Sequence, residues 1–235
     1  MTLVPAARMA ALFGTQYQKA AFRVVPPSWD AFSNTRTLLP CQALNNAVAV
    51  LMQSQKYPEA IALMEKARSA GGFKSEVEYV NLAKLYRLAG QDSDNPQVNG
   101  GKAVAVLQEG FSKNIVTPTY ANYMLLGDSG LVAENHAVAT EAYRKAMPMA
   151  TDGEASVRAG QLLLQDGKYG DAKSLLQQGI AKGVKHKGAA YMSLAEACRN
   201  QKDKLGAIDA MQEAAKDPET ATKAKAWLKA QGLGN

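Results

Sequence analysis

Small and bulky apolar residues recur along this chain at fixed intervals. In the clearest unit, Gly127 is followed by Ala139, Tyr143 and Ala146, at intervals of 12, 4 and 3 residues. Two later units keep these intervals and contain Gly160, Ala172, Leu176 and Gly179, then Ala195, Ala207, Met211 and Ala214. The earliest unit, Val48, Ala60, Met64 and Ala67, also keeps these intervals but has Val at the first small position. The unit after it contains Ala83, Ala103, Leu107 and Gly110, and its first interval is longer. A pattern that recurs five times along the chain indicates an array of similar structural units.

Each unit has the pattern of two antiparallel helices joined by a short turn. Small residues are expected where the helices cross closely, and bulky apolar residues fill the space between them. The predicted helices are 42–54, 57–70, 76–89, 101–113, 118–130, 135–148, 153–166, 169–182, 187–201, 204–216 and 220–231. In the second unit the first interval is 20 residues instead of 12, and the stretch from Gln91 to Gly101 contains Gly, Asn, Asp and Pro. We therefore expect a loop insertion in that stretch.

The two ends of the chain do not follow the repeat. The last predicted helix has a narrow apolar stripe beside Lys223, Lys225 and Lys229, as expected of a terminal cap. Residues 1–40 are expected to be a partly ordered leader. Within it Ala6 to Phe22 could hold one helix, which Pro26-Pro27 would stop.

The spacing of the small residues resembles that of the tetratricopeptide repeat, a helix-turn-helix unit of about 34 residues. The resemblance implies an all-α fold, a right-handed solenoid of about five helix pairs plus a C-terminal capping helix, within residues 41–235. The repeats would span 41–75, 76–116, 117–150, 151–184 and 185–218, with the cap at 219–231. The characteristic early Trp is absent from every unit, and the Pro expected after the second helix occurs once, as Pro218.

Composition narrows the class of protein. With 47% hydrophobic and 20% charged residues over 235 positions, the chain is not broadly disordered. No apolar run reaches the roughly 18 residues of a membrane-spanning helix, so we expect a soluble chain without direct membrane insertion. Its first twenty residues also lack the continuous apolar segment of a signal peptide. The net charge of +6 is small, and the basic turn from Lys182 to Lys187 has no interleaved aromatic residues, so we expect no nucleic-acid partner.

Candidate catalytic and cofactor-binding residues are scarce. His136 and His186 have no Cys, Asp or Glu three or four residues away, which a helical metal site requires. Gly100-Gly101-Lys102 lacks the remaining residues of a phosphate-binding loop. Cys41 and Cys198 fall in the first and fifth units, too far apart in a solenoid for a disulfide, so both are expected to be free. We therefore expect a protein that is not an enzyme and that has no metal or cofactor.

A groove that binds a protein partner is the positive prediction. In such a solenoid the first helix of each pair lines the concave face, and distances from the first small residue select the positions that point into it. The selected groove residues include Asn46, Asn81, Lys84, Arg87, Met124, Asp128, Leu131, Val157, Gln161 and Leu164. The first two of these stand two positions before the small residue, where related repeats use Asn to hydrogen-bond the backbone of an extended peptide. The basic clamp by which some cochaperones grip a C-terminal carboxylate is incomplete, since Asn45, Ala121 and Leu125 occupy its other positions.

A narrower resemblance covers residues 102–231. The segment from Gly110 to Val116, of the form Gly-Phe-x-Lys-x-Ile-Val, and the segment Gly167-Lys-Tyr-Gly-Asp-Ala are similar to periplasmic tetratricopeptide proteins associated with TonB systems. This resemblance implies a non-catalytic periplasmic scaffold beside TonB, ExbB and ExbD that assists uptake through outer-membrane receptors. The alternative is a cytoplasmic adaptor, built from the same repeats, for secretion, pilus or regulatory machinery.

Overall fold

A computed structural model describes residues 41–91 and 95–233 of the chain, and these residues form an all-α fold. The described residues contain no β-strand and form one short 3-10 helix, Met147–Met149, besides the α-helices. These are α1 (Cys41–Gln53), α2 (Tyr57–Ser69), α3 (Glu76–Gln91), α4 (Pro96–Ser112), α5 (Tyr120–Val132), α6 (His136–Ala146), α7 (Glu154–Gln165), α8 (Tyr169–Lys182), α9 (Lys187–Asn200), α10 (Lys204–Ala214) and α11 (Ala221–Ala230). The predicted leader over residues 1–40 lies outside the described residues.

The helices form a solenoid of five consecutive pairs closed by α11. Each odd-numbered helix from α1 to α9 packs against the even-numbered helix that follows it, and that helix then packs against the first helix of the next pair. First helices also approach one another, α3 with α5 and α7 with α9, whereas second helices of successive described pairs share fewer contacts. The first helices therefore line the inner, concave side of the array. The predicted all-α solenoid with a capping helix is confirmed.

Close helix crossing occurs at the predicted small positions. A Cβ atom added to Gly127 of α5 would overlap the ring of Tyr143, which lies on α6 and is fully buried. A Cβ atom added to Gly160 of α7 would lie 2.9 Å from Cγ of Leu176 on α8. The spacing of small residues in the sequence thus reports the distance between the two helices of a pair.

One prediction about the second pair is wrong. Helix ends agree with the predicted ones within two residues elsewhere, but α3 continues to Gln91 and α4 already begins at Pro96. Most of the eight extra residues therefore lengthen two helices instead of forming a loop. Pro96 is compatible with a first helical turn, and Gly100 is buried against the backbone of Ala133 at the end of α5. This tertiary contact overrides the weak helix propensity of the Gly and Asn residues.

Polar contacts repeat from one pair to the next and fix how the pairs stack. Near the start of a second helix, a side chain reaches the turn of the following pair. The contacts are Gln97 Nε2 to Glu134 Oε1 at 2.9 Å, His136 Nδ1 with Asp166 Oδ1 at 2.8 Å, and Lys173 Nζ to Asp203 Oδ2 at 2.7 Å. At the start of a first helix, Glu76 Oε2 accepts from the backbone N–H of Thr117 at 3.0 Å, and Glu154 Oε1 accepts from that of Lys185 at 2.8 Å. The stacking order of the pairs therefore has a polar as well as an apolar basis.

A charged cluster joins the first two pairs on the second-helix side. Arg68 of α2 donates from Nη1 to Glu65 at 2.9 Å and from Nε to Glu109 of α4 at 3.0 Å. The hydroxyl of Tyr86 donates to Glu65 at 2.8 Å, and Lys113 donates to Glu109 at 2.6 Å. The hydrogen bond from Lys113, followed by those from Arg68, holds the pKa of Glu109 below its ordinary value despite partial burial.

Replacing Gly127 with Ala is expected to destabilise the protein by about 1–3 kcal/mol, because the new methyl group overlaps the Tyr143 ring. Gly101→Ala is the matched control, since a Cβ atom at this exposed helical position meets nothing within 4 Å. That change is expected to stabilise by about 0.5–1 kcal/mol through helix propensity. Urea unfolding followed by circular dichroism measures both. Equal effects of the two substitutions would contradict the close crossing.

Stability is expected to fall as the pH drops from about 5 to about 3. Hydrogen bonds from Thr117 and Asn122 lower the pKa of Glu76, and the hydrogen bond from Lys173 lowers that of Asp203. The unfolded chain then binds more protons than the folded one in this range, so the stabilisation is present above the unfolded pKa and is lost as the pH falls through the folded pKa. Unfolding free energies measured across this range should depend less steeply on pH in Glu76→Gln and in Asp203→Asn. An unchanged slope in both variants would contradict this assignment.

Candidate functional site

The concave groove is formed by the exposed sides of α1, α3, α5, α7 and α9. On α5, α7 and α9, the positions two before and one after the first small residue of the unit lie close to the neighbouring pair. In the later pairs these two positions bond to each other across the pair boundary: Asp128 with Arg158, and Gln161 with Ser193. The groove is therefore cross-linked by its own side chains from α5 to α9.

Asp128 is the centre of the largest of these groups. Its Oδ1 accepts a hydrogen bond of 2.7 Å from the Tyr143 hydroxyl and one of 2.8 Å from Nη1 of Arg158. Burial, followed by the charge of Asp128 and the hydrogen bond to it, raises the pKa of Tyr143. The phenol thus stays protonated and donates to the carboxylate. Three helices, α5, α6 and α7, are joined by this one carboxylate.

Four of the predicted groove residues are buried or half-buried in the structure. Val157 is buried and packs in the core of the last pairs, so its assignment to the groove is wrong. Its register position faces α8, where a Cβ atom added to Gly179 would lie 2.7 Å from the Val157 side chain. Leu164 is half-buried against the same core. Met124 and Leu131 are half-buried against the smaller cluster that contains Tyr143. Leu164, Met124 and Leu131 therefore expose only part of their side chains in the groove.

The first two pairs differ from the rest of the groove. Asn46 and Lys84 are exposed, and Asn81 and Arg87 are half-buried. Among the described residues, neither Lys84 nor Arg87 has a carboxylate within 4 Å, and Nε of Arg87 is buried without a hydrogen-bond partner. Val77 lies four residues before Asn81 and seven before Lys84, on the same side of α3; it is half-exposed and adds an apolar surface. This stretch combines two amides, two cations and an apolar side chain, which suits an extended peptide segment.

A separate cleft lies outside the concave face, among α4, α5 and α6. Its volume is about 730 Å³, and its wall includes the stacked rings of Phe111 and Tyr123, whose centroids are 5.2 Å apart. Gln108, Glu141 and Lys145 stand at its polar part. The sequence did not predict this cleft, because it depends on how the 113–119 connection separates pairs two and three.

Titratable side chains that often carry chemistry are used here for stacking. His136 contacts Asp166 at 2.8 Å, and Nδ1 of His186 lies 3.1 Å from Glu219. Cys198 is free and buried, and burial raises the pKa of its thiol. The prediction of a free thiol at position 41 concerns a side chain outside the described part. Over residues 41–91 and 95–233, no cluster of three or more His, Cys, Asp or Glu could hold a metal ion, and no helix is long and apolar enough to cross a membrane.

Comparisons with known proteins agree with this geometry. Residues 157–221 match the tetratricopeptide repeat family. The crystal structure of MamA protein superimposes with a TM-score of 0.65, at 16% identity over 77% of this chain and 93% of MamA. The fold is a tetratricopeptide-repeat solenoid. The crystal structure of YrrB, a TPR protein with an unusual peptide-binding site, gives a TM-score of 0.63 at 15% identity over 83% of this chain and 95% of YrrB. No sequence among the curated proteins matches the chain.

Asp128→Ala is expected to cost about 1–3 kcal/mol, because it leaves the buried Tyr143 hydroxyl without its acceptor. Adding Tyr143→Phe should then cost less than Tyr143→Phe costs in the unmodified protein, since the two side chains act on each other. Glu196→Ala is the matched control, at the equivalent but exposed position of α9, and should change stability by less than about 0.5 kcal/mol. Thermal unfolding measures all of them. Additive effects of the two Asp128 and Tyr143 substitutions would contradict the assignment.

Proposed function

We propose that this chain is a non-catalytic scaffold that binds an extended segment of a protein partner in the groove of its first two helix pairs. The observation that carries the proposal is the difference between the two halves of the groove. Asp128 and Gln161 are engaged across pair boundaries. The groove residues of α1 and α3, which are Asn46, Asn81, Lys84 and Arg87, have no such bond within the described part of the chain. Polar groove side chains that have no partner within the protein are available to hydrogen-bond to a ligand.

The residue types suit a peptide backbone. Each Asn side chain offers both an acceptor and two donors, so Asn46 and Asn81 can pair with the N–H and C=O groups of an extended chain. Their equivalent positions on adjacent first helices place one amide on each repeat along the groove. A ligand that follows the groove would therefore meet the two amides in succession.

The positive charges of Lys84 and Arg87 indicate which kind of partner segment the groove would favour. Lys84 and Arg87 lie on α3 one turn apart, and within the described residues no carboxylate neutralises them. A segment carrying Asp, Glu or a free C-terminal carboxylate would pair with both cations, and Arg can bind a carboxylate through two parallel hydrogen bonds. The likeness to YrrB, which has a peptide-binding site, supports the class of ligand and says nothing of its sequence.

The finer part of the proposal concerns the cellular system. We infer from the segments Gly110 to Val116 and Gly167 to Ala172, which resemble TonB-associated periplasmic repeat proteins, that the scaffold acts in an envelope transport system of this type. Its partners would be periplasmic segments of TonB, ExbB or ExbD. The compartment of the mature protein would then be the periplasm.

Charge reversal in the groove is expected to abolish most of the binding. In a pull-down with periplasmic segments of TonB, ExbB and ExbD, the Lys84→Glu, Arg87→Glu variant should retain less than about a tenth of the partner retained by the unmodified chain. Its remaining binding should respond less to added salt, since the attraction to an acidic segment has been removed. Lys223→Glu, Lys225→Glu on α11 is the matched control, with the same charge change at exposed positions, and should bind as before.

The outcomes separate the two parts of the proposal. Equal retention by the groove variant and the control, with helical content unchanged, would place the binding site elsewhere. If no TonB-system segment binds and fractionation of the native protein finds it in the cytoplasm, the envelope role fails. A cytoplasmic adaptor using the same groove would then be the better account.

A further inference from the structure

The cleft among α4, α5 and α6 lies at the boundary between pairs two and three, and the preceding boundary shows what it lacks. Between pairs one and two, three side chains meet on the second-helix side: Arg68 of α2, Tyr79 of α3 and Glu109 of α4. Nε of Arg68 donates to the Glu109 carboxylate at 3.0 Å, and the Tyr79 hydroxyl donates to it at 3.2 Å. A single carboxylate thus joins three helices at that boundary.

The residues at the cleft differ from this arrangement in one chemical respect. Counted from the small residues of each unit, the equivalent side chains are Phe111 in place of Arg68, Tyr123 in place of Tyr79 and Lys145 in place of Glu109. The phenol is kept, but an ammonium group replaces the carboxylate. Among the described residues, the Tyr123 hydroxyl has no hydrogen-bond partner. The cleft therefore has two donors and lacks the acceptor that joins the helices at the preceding boundary.

Glu141 does not supply this acceptor, although it is the carboxylate among the residues that line the cleft. It lies one turn before Lys145 on α6, and its Oε1 is 3.6 Å from Nζ of Lys145, beyond hydrogen-bonding distance. Both side chains are more than half exposed, and exposed ion pairs of this kind contribute little to stability. Lys145 can therefore turn to a better acceptor at small cost. Glu141 also repels ligands with more than one negative charge.

The rest of the cleft wall is largely apolar. The rings of Phe111 and Tyr123 stack with their centroids 5.2 Å apart and their planes 15° apart, and Val116, Leu126 and Val138 extend this surface. An aromatic ring packed against other rings gains more than its buried area alone provides. The volume of about 730 Å³ lies within the range of sites for small organic ligands.

We propose that this cleft binds a small aromatic monocarboxylate. The carboxylate of the ligand pairs with Lys145 and accepts a hydrogen bond from the Tyr123 hydroxyl, while its ring packs on the apolar wall beside Phe111. The ligand thus provides the acceptor that Glu109 provides at the preceding boundary. Because the cleft lies outside the concave face, a ligand bound here leaves the groove open to a protein partner.

Ligand-observed NMR titrations of the full chain test the proposal with 3-phenylpropionate and its uncharged amide, 3-phenylpropanamide. The acid is expected to bind with a Kd of about 1 mM or tighter, and the amide about fivefold or more weakly. Lys145→Gln should weaken binding of the acid about fivefold or more and leave binding of the amide unchanged. Tyr123→Phe keeps the stacked ring and removes only the hydroxyl, so it should weaken binding of the acid about twofold or more.

Two control variants localise the effect. Lys216→Gln removes the charge of another exposed Lys that pairs with a nearby carboxylate, that of Glu213, and should leave binding of the acid unchanged. The groove variant Lys84→Glu, Arg87→Glu should also bind the acid as the unmodified chain does, since the cleft and the groove are separate surfaces. Circular dichroism checks that every variant keeps its helical content.

Three results would overturn the proposal. Equal affinities for the acid and the amide would show that the cleft does not recognise a carboxylate. Equal affinities of Lys145→Gln and Lys216→Gln for the acid, or weaker binding by the groove variant, would place the acid elsewhere on the surface. No detectable binding of the acid at about 10 mM would exclude a small-molecule site. If a peptide ending in Phe then bound through Lys145, the cleft would be assigned to the C-terminus of a protein partner instead.

Discussion

Close crossing of the two helices in each pair is the constraint on which the rest of the structure depends. At Gly127 and Gly160 there is no room for a further carbon between the helix and its partner, and Gly153 and Gly179 bring two backbones together. A helix pair this thin has little interior of its own, so it must bury both outer faces against neighbours. The short distance between the two helices of a pair therefore requires successive pairs to stack. The stacking in turn forms a groove along the first helices.

The same packing decides which groove residues are bonded to other side chains of the protein. Because Gly127 lets the Tyr143 ring lie against α5, the phenol hydroxyl emerges beside Asp128 and engages its carboxylate at 2.7 Å. Arg158 then completes the group from the next pair. In the second pair the small residue is Ala83 and the next residue is Lys84, which has no such phenol to contact. Two positions of the same register therefore differ in their contacts. Asp128 holds pairs together, whereas Lys84 is exposed in the groove.

The sequence was sufficient for the helices and their pairing, because both depend on local spacing of small and bulky residues. It failed where a tertiary contact outweighed local preference: Gly100, a weak helix former, is helical because it fits against Ala133. The prediction also failed at Val157, which is buried in the core. Groove positions and core positions are adjacent on the helix, and the sequence pattern alone does not fix the rotation of the helix that distinguishes them. The bond between Asp128 and Arg158 joins two repeats, so no count within one repeat predicts it. The cleft beside Phe111 and Tyr123 likewise depends on the offset between two pairs.

Electrostatics separates stability from binding in the first two pairs. Arg68 on the second-helix side is bonded to Glu65 and Glu109. Its charge is thus paired with carboxylates, and the bond to Glu109 holds α2 to α4. The cations of α3 in the groove have no such carboxylates, although they belong to the same pairs. Since each pair interacts only with its neighbours, residues on the groove side can vary without disturbing the contacts on the other side. The positive charge of Lys84 and Arg87 is thus an independent property of the surface, and the proposed recognition of an acidic segment would not compete with the interactions that stack the repeats.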